Sequence, residues 1–119
     1  MGFTIIEVDI RNPEAPTRCG KVKLLADTGA MYTIIPGKIL EDLGIKPRWR
    51  RKFSLADGHK IERDGSGALY RIGEYEGHAP VIFGVEGDHP ILGVTALEAM
   101  GLQADPVSQQ LKPIELLLL

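Results

Sequence analysis

Leu24-Leu25-Ala26-Asp27-Thr28-Gly29-Ala30-Met31-Tyr32-Thr33-Ile34-Ile35-Pro36 is the stretch that decides the fold. Apolar residues flank a small polar centre on both sides. Leu24 and Leu25 read as the end of a buried strand, and Thr33-Ile34-Ile35 as the start of another. Between them stand a carboxylate, a hydroxyl and a glycine. An Asp-Gly type of turn marks, by itself, only a hairpin. A carboxylate at the end of a buried strand is a different matter. It costs free energy unless hydrogen-bond donors or a chemical role justify it.

Upstream, residues 3–10 alternate, with Ile6, Val8 and Ile10 on one face and Glu7 and Asp9 on the other, the pattern of a half-buried strand. The prolines of Asn12-Pro13-Glu14-Ala15-Pro16 predict a loop. Residues 20–26 form the strand that delivers Asp27. Downstream, Pro36 closes a short strand, and residues 37–43 read as a helix with Ile39, Leu40 and Leu43 on one side and Gly44 as its stop. Ala56-Asp57-Gly58-His59 is a turn signal between two extended runs. Residues 68–72 and 78–85 are strand candidates. Glu86-Gly87-Asp88 turns the chain ahead of Ile91-Leu92-Gly93. Thr95 and Glu98 have the spacing of a capping box, which predicts a helix over 95–100 ended by Gly101. Asp105-Pro106 marks a turn, and residues 114–119 are nearly all apolar.

Two segments echo each other: Ile39-Leu40-Glu41-Asp42-Leu43-Gly44-Ile45 and Ala96-Leu97-Glu98-Ala99-Met100-Gly101-Leu102. They are either two ordinary short helices with glycine stops or the two halves of a pseudo-twofold repeat.

Bulk properties narrow the function classes. A chain of 119 residues has the size of one domain, 1–119. A formal net charge of −2 argues against a dedicated nucleic-acid binder. Cys19 is the single cysteine, so no intrachain disulfide forms, which fits a reducing compartment and sets the expectation of a cytoplasmic protein. The first ten residues lack the basic region and apolar run of a signal peptide. No segment reaches the roughly 18 apolar residues of a membrane helix, so no membrane partner is expected.

The central stretch resembles the active-site loop of retropepsin-like aspartic proteases: Asp27-Thr28-Gly29-Ala30 after two apolar residues, followed by an Ile-Ile pair. Ile91-Leu92-Gly93 is similar to the family's second motif, which precedes a short helix. Together the matches extend from Leu24 to about Asp105. The resemblance implies a mostly β, closed barrel-like fold with one or two short helices, built as two halves. It also implies that Asp27, Thr28 and Gly29 are catalytic, with the Thr28 hydroxyl bonding across a dimer and Gly29 admitting the substrate closely. Ala30, Met31 and Tyr32 are placed at the substrate edge. Retroviral members carry an acidic residue where Met31 stands, so a polar clamp on the substrate backbone does not carry over. The hairpin of residues 49–70 takes the position of the family's flap, with Ala56, Asp57, Gly58 and His59 at its tip. The resemblance further implies that the chain ends of two subunits interleave in one sheet, which gives the apolar tail a place at the dimer interface.

The chemistry asks for two carboxylates. Peptide hydrolysis without a metal or covalent intermediate needs a base for the water and an acid for the carbonyl. Two carboxyl groups a few ångströms apart share one proton and supply both. This chain carries one Asp-Thr-Gly, and Ile91-Leu92-Gly93 has no carboxylate. The second aspartate therefore comes from a second copy across a twofold axis, which makes a homodimer acting on peptide or protein substrates the expectation. The rival reading is a non-catalytic dimerisation or peptide-binding module on the same fold.

Other chemistries have less support. Lys46, Arg48, Arg50, Arg51 and Lys52 surround Trp49 in the manner of a nucleic-acid patch, but a charged edge that discourages strand pairing explains them more simply. His59, His78 and His89 lack metal-ligand spacing, the serines sit in no nucleophile motif, and no phosphate loop is present, so no cofactor is expected.

Overall fold

In the computed structural model, which describes residues 4–105 and 107–115, strand pairing follows the apolar alternation of the sequence. β1 (Thr4–Asn12) and β2 (Ala15–Ala26) form an antiparallel hairpin with Val8 opposite Val22. The expected loop over 12–16 is a two-residue turn. Asn12 tightens it, accepting from the Glu14 N–H at 2.9 Å and donating to the Leu43 carbonyl at 3.0 Å. β2 thus starts five residues earlier than its apolar pattern shows, because its exposed first half carries no alternation.

The chain continues through β3 (Thr33–Pro36), α1 (Gly37–Asp42), β4 (Trp49–Ser54), β5 (Lys60–Ile72), β6 (Tyr75–Gly84), β7 (Ile91–Leu92) and α2 (Val94–Ala99). The sheet order is β1-β2-β7-β3-β6-β5-β4, and β1 also pairs with β5. Six strands therefore close into a ring, with β4 attached outside it to β5. The mostly β class expected from the sequence is correct. β8 (Leu102–Asp105) and β9 (Gln110–Pro113) form a separate hairpin. Phe3, Pro106 and residues 116–119, which include most of the apolar tail, lie outside the described residues. Among the described residues no helix is long and apolar enough to cross a membrane.

The ring fills with alternate residues of its strands. Val8, Ile10, Leu24, Ile35, Tyr70, Val81 and Leu92 are fully buried, with Leu40 and Leu97 of the two helices beside them. Tyr70 is the largest of these, and its hydroxyl donates to the Pro80 carbonyl at 2.8 Å. Burial pushes its phenol well above the ordinary value, so it stays neutral.

The topology resolves the repeat in favour of two related halves. β2, β3 and α1 answer to β6, β7 and α2. The leading strand of each half pairs in parallel with the trailing strand of the other, β2 with β7 and β6 with β3. β3 and β7 meet antiparallel at the centre, Ile34 opposite Ile91. Each helix ends alike. Gly44 donates to the Glu41 carbonyl and Gly101 to that of Glu98, both glycines at φ +76°.

One local expectation fails. α2 starts a residue early, its N-cap is Gly93, and no side chain caps it. The Thr95 hydroxyl instead donates to the Met31 carbonyl at 2.8 Å. A tertiary acceptor has taken the group that the capping box would use.

Candidate active site

β2 ends at Ala26, and Asp27 opens the loop that follows. The Asp27 carboxylate accepts from the Gly29 N–H at 2.9 Å, and the Ala30 N–H returns to the Asp27 carbonyl at 3.1 Å. This is an Asx-type turn, which short polar side chains favour. It leaves Asp27 half-buried and Thr28 and Gly29 exposed.

The second motif is stitched to this loop through backbone. Asp27 N–H donates to the Leu92 carbonyl at 3.1 Å, Val94 N–H to Ala30 at 2.9 Å, and Thr95 N–H to Met31 at 3.0 Å. Gly93 N–H donates to the Thr33 hydroxyl at 2.9 Å, with Thr33 completely buried. The approach is so close that a Cβ on residue 93 would collide with the backbone of Met31 and Tyr32. Only glycine fits, which is the physical reason for the glycine in Ile91-Leu92-Gly93.

Thr33 should therefore matter for stability. In Thr33→Val the shape is kept, but the Gly93 N–H is buried with no acceptor, a loss of about 1–3 kcal/mol. Thr33→Ser keeps the oxygen and serves as the control. Urea denaturation checks this; equal midpoints for Thr33→Val and the wild type would mean that the hydroxyl does not hold the two motifs together.

Asp27 opens onto a cleft of about 640 Å³. One wall is the loop itself, with Gly29, Ala30 and Tyr32. A second is the β4–β5 hairpin, which contributes Phe53, Ser54, Leu55, Ala56, Ile61 and Arg63. The third is residues 87–91 with Ile34 and Ile82 behind them. Tyr32 meets Phe53 edge to face, ring centres 5.8 Å apart, so the loop and the hairpin touch.

Of the residues singled out in the sequence, Asp27, Gly29, Ala30, Tyr32 and Ala56 line this cleft, whereas Thr28, Met31, Asp57, Gly58 and His59 do not. Met31 points out, 62% exposed, and is held by its carbonyl. Asp57, Gly58 and His59 form the tip of the hairpin. Leu55 N–H donates to the His59 carbonyl at 2.7 Å, and Asp57 accepts from the His59 N–H at 2.9 Å. Gly58 adopts φ +91°, a conformation that favours glycine. The bond from the His59 N–H, together with the nearby imidazole, holds the Asp57 carboxyl below its usual range. Sequence reasoning misses Phe53, Leu55, Ile61, Ile82 and Ile91, because strand alternation marks burial and not the wall of a cleft.

The basic stretch belongs to the outer edge of the sheet. Arg50 pairs with Asp64 at 3.0 Å, Arg48 pairs with Glu14, and the Arg51 guanidinium lies 4.1 Å from the Trp49 ring centre. These three arginines are engaged within the chain, and Arg50 and Arg51 lie on β4 at the end of the sheet order, as an edge that discourages strand pairing requires. Among the described residues no cluster of three or more His, Cys, Asp or Glu side chains has the geometry to hold a metal.

Asp88 is the most strongly engaged carboxylate at the cleft. Arg63 holds it by two bonds, 2.8 and 2.9 Å, and the Val85 N–H donates to it at 2.9 Å. The Arg63 bonds hold its carboxyl below the ordinary value, against the effect of partial burial. A lowered folded-state value means stability that is fully present above the ordinary carboxyl value of 3.8 and lost as pH falls through the lowered one. Asp88→Asn should cost about 1–2 kcal/mol at neutral pH. Its deficit relative to wild type should close only below pH 3.8. Parallel stability curves for the two proteins down to acid pH would contradict this.

A ring of strands that presents an Asp-Thr-Gly loop against an Ile-Leu-Gly strand end, beneath a projecting hairpin, is the fold of retropepsin-like aspartic proteases. The chain belongs to the aspartyl protease family, whose model matches residues 8–107. Among solved structures it is similar to the protease of simian foamy virus (mac), with 20% identity and a TM-score of 0.54 over 80% of this chain and 92% of that one. A retropepsin-like aspartic protease from Rickettsia conorii matches at 22% identity and a TM-score of 0.48, over 88% of this chain and 94% of that one. No curated protein matches.

Proposed function

We propose that this protein is an aspartic endopeptidase whose working form is a homodimer, with the two Asp27 side chains facing each other across the twofold axis. The observation that carries the reading is the Asp27 carboxylate, set by its own turn at the floor of a cleft of about 640 Å³ beneath a hairpin.

The pair of carboxyl groups shares one proton. The ionised Asp27 takes a proton from water as the water oxygen bonds to the scissile carbonyl carbon. The protonated Asp27 gives its proton to the carbonyl oxygen, and a tetrahedral gem-diol forms. The C–N bond then breaks as a proton passes to the amine nitrogen, leaving a carboxylic acid and an amine. Gly29 N–H orients the carboxylate. In this reading the hydroxyl of Thr28, which is exposed beside it, bonds across the dimer. The hairpin covers the substrate and excludes water.

The cleft walls are mostly apolar, through Tyr32, Ile34, Phe53, Leu55, Ile82 and Ile91. Peptides with apolar side chains on either side of the scissile bond suit them, each buried side chain contributing roughly 1.5–3 kcal/mol. Digestion of a diverse peptide library, read by mass spectrometry between about pH 4 and 7, tests the assignment. Cleavage clustered at apolar pairs is expected. No cleavage by protein shown to be dimeric would turn the reading toward a peptide-binding module.

A further inference from the structure

The β4–β5 hairpin is poorly supported by the sheet. Among the described residues β4 pairs only with β5, and β5 reaches β6 only from Gly65 onward. Residues 49–64 therefore project as a two-stranded stem, and an isolated pair of strands is marginally stable. What fixes its angle over Asp27 must come from side chains at its base.

Phe53 meets Tyr32 from β4. From β5, Arg63 reaches across to Asp88 on the opposite wall of the cleft. The Arg63 and Asp88 side chains are only 16% and 18% exposed, far less than an ordinary surface pair, so solvent screens them weakly. Each of the three guanidinium nitrogens of Arg63 also has a partner. Nε and Nη2 bind Asp88, and Nη1 donates to the Glu62 carbonyl at 2.8 Å. Asp88 in turn is anchored to the body by the Val85 N–H, in a turn closed by the Asp88 N–H to the Val85 carbonyl at 3.0 Å. Both residues line the cleft, yet their polar atoms are directed at each other. That arrangement suits a positioning role and not a bond to substrate.

We propose that the Arg63–Asp88 pair is the fulcrum of the lid: it fixes the stem against the 85–88 turn, confines opening to the hairpin beyond Arg63, and thereby sets how tightly the cleft holds a peptide. The inference rests on reading the cleft as a peptide site, but its first test does not.

Hydrogen exchange on the free protein comes first, with Arg63→Gln, Asp88→Asn, the double variant and Arg63→Lys. The amide introduced by Asp88→Asn retains an oxygen for the Val85 N–H, so the turn survives. Each single change should speed exchange in residues 54–62 about tenfold more than in β1 and β2, with the double variant no faster than either. Arg63→Lys keeps the charge but not the fork, and should recover only part of the protection. The second measurement is kinetic: KM for a cleaved peptide should rise about five- to tenfold while kcat stays within about twofold. Exchange in 54–62 that rises no more than in β1 and β2 overturns the proposal, because an equal rise throughout the chain is what a merely structural pair would give. If the wild type cleaves nothing, the exchange result still decides the fulcrum, and the peptidase reading alone falls.

Discussion

Replacing Asp27 by Asn should abolish peptide hydrolysis and leave the fold in place. The amide has nearly the shape of the carboxylate, and its oxygen can still accept from the Gly29 N–H that orients the wild-type group at 2.9 Å. The turn therefore has no reason to open. Asp27 is half-buried and lines the cleft, outside the packed core, so stability should move by no more than about 0.5 kcal/mol. The chemistry is another matter. An amide neither takes a proton from water nor donates one of suitable acidity to a carbonyl oxygen. Because the proposed site contains the same residue twice, the one substitution removes base and acid together. General acid–base catalysis contributes up to about 10⁴-fold per group, so a loss on the order of 10⁴ or more is expected. The measurement is turnover of a library-derived peptide by purified Asp27→Asn, with a circular dichroism spectrum as the check on folding. Turnover within about tenfold of wild type would remove Asp27 from the mechanism.

How far the sequence carries depends on what each residue faces. β1 and the two helices are legible because one side of each meets the core, which imposes a period of two or of three to four on the apolar residues. Gly44 and Gly101 announce the helix ends because each adopts a positive φ. The first half of β5 is not legible. Lys60, Glu62, Arg63 and Asp64 belong to a projecting stem whose charged side chains pair with one another and with Asp88 and do not enter the core, so no apolar period forms, and Gly65 and Gly67 carry no side chain to mark a face. The Asp27 loop stands out because a carboxylate between buried strands is costly. Its surroundings do not. Phe53 and Ile61 face each other across the β4–β5 hairpin, but only the fold brings them to one cleft with Ile82 and Ile91. The Arg63–Asp88 pair joins residues 25 positions apart across a cleft, and no local spacing signals it. Thr95 shows the opposite failure. Its spacing to Glu98 is right for a cap, but the hydroxyl is taken by Met31, a partner 64 residues away.

The second large effect concerns assembly. If two copies of Asp27 make one site, inactive chains should poison active ones. Asp27→Asn is suited to this, since it should pair with the wild type as the wild type pairs with itself. Mixing one part of wild type with nine of the variant, at constant wild-type concentration and after exchange of subunits, leaves only about a tenth of the wild-type chains in wholly wild-type dimers. Activity should fall to about that level if a mixed dimer is inactive. A site complete within each chain would leave activity unchanged, because the added variant contributes nothing and removes nothing. Dilution gives an independent arm. Below the dimer dissociation constant, activity per chain should fall in proportion to concentration, with sedimentation showing monomers over the same range. The tail bears on this arm. Residues 116–119 are all leucine, and each leucine buried at an interface contributes roughly 1.5–3 kcal/mol. Truncation after Glu115 should therefore shift the dilution curve to higher protein concentration while leaving its plateau unchanged. A curve that does not move places the interface elsewhere. Full activity in a proven monomer, or in the nine-to-one mixture, would exclude a shared pair of Asp27 side chains altogether.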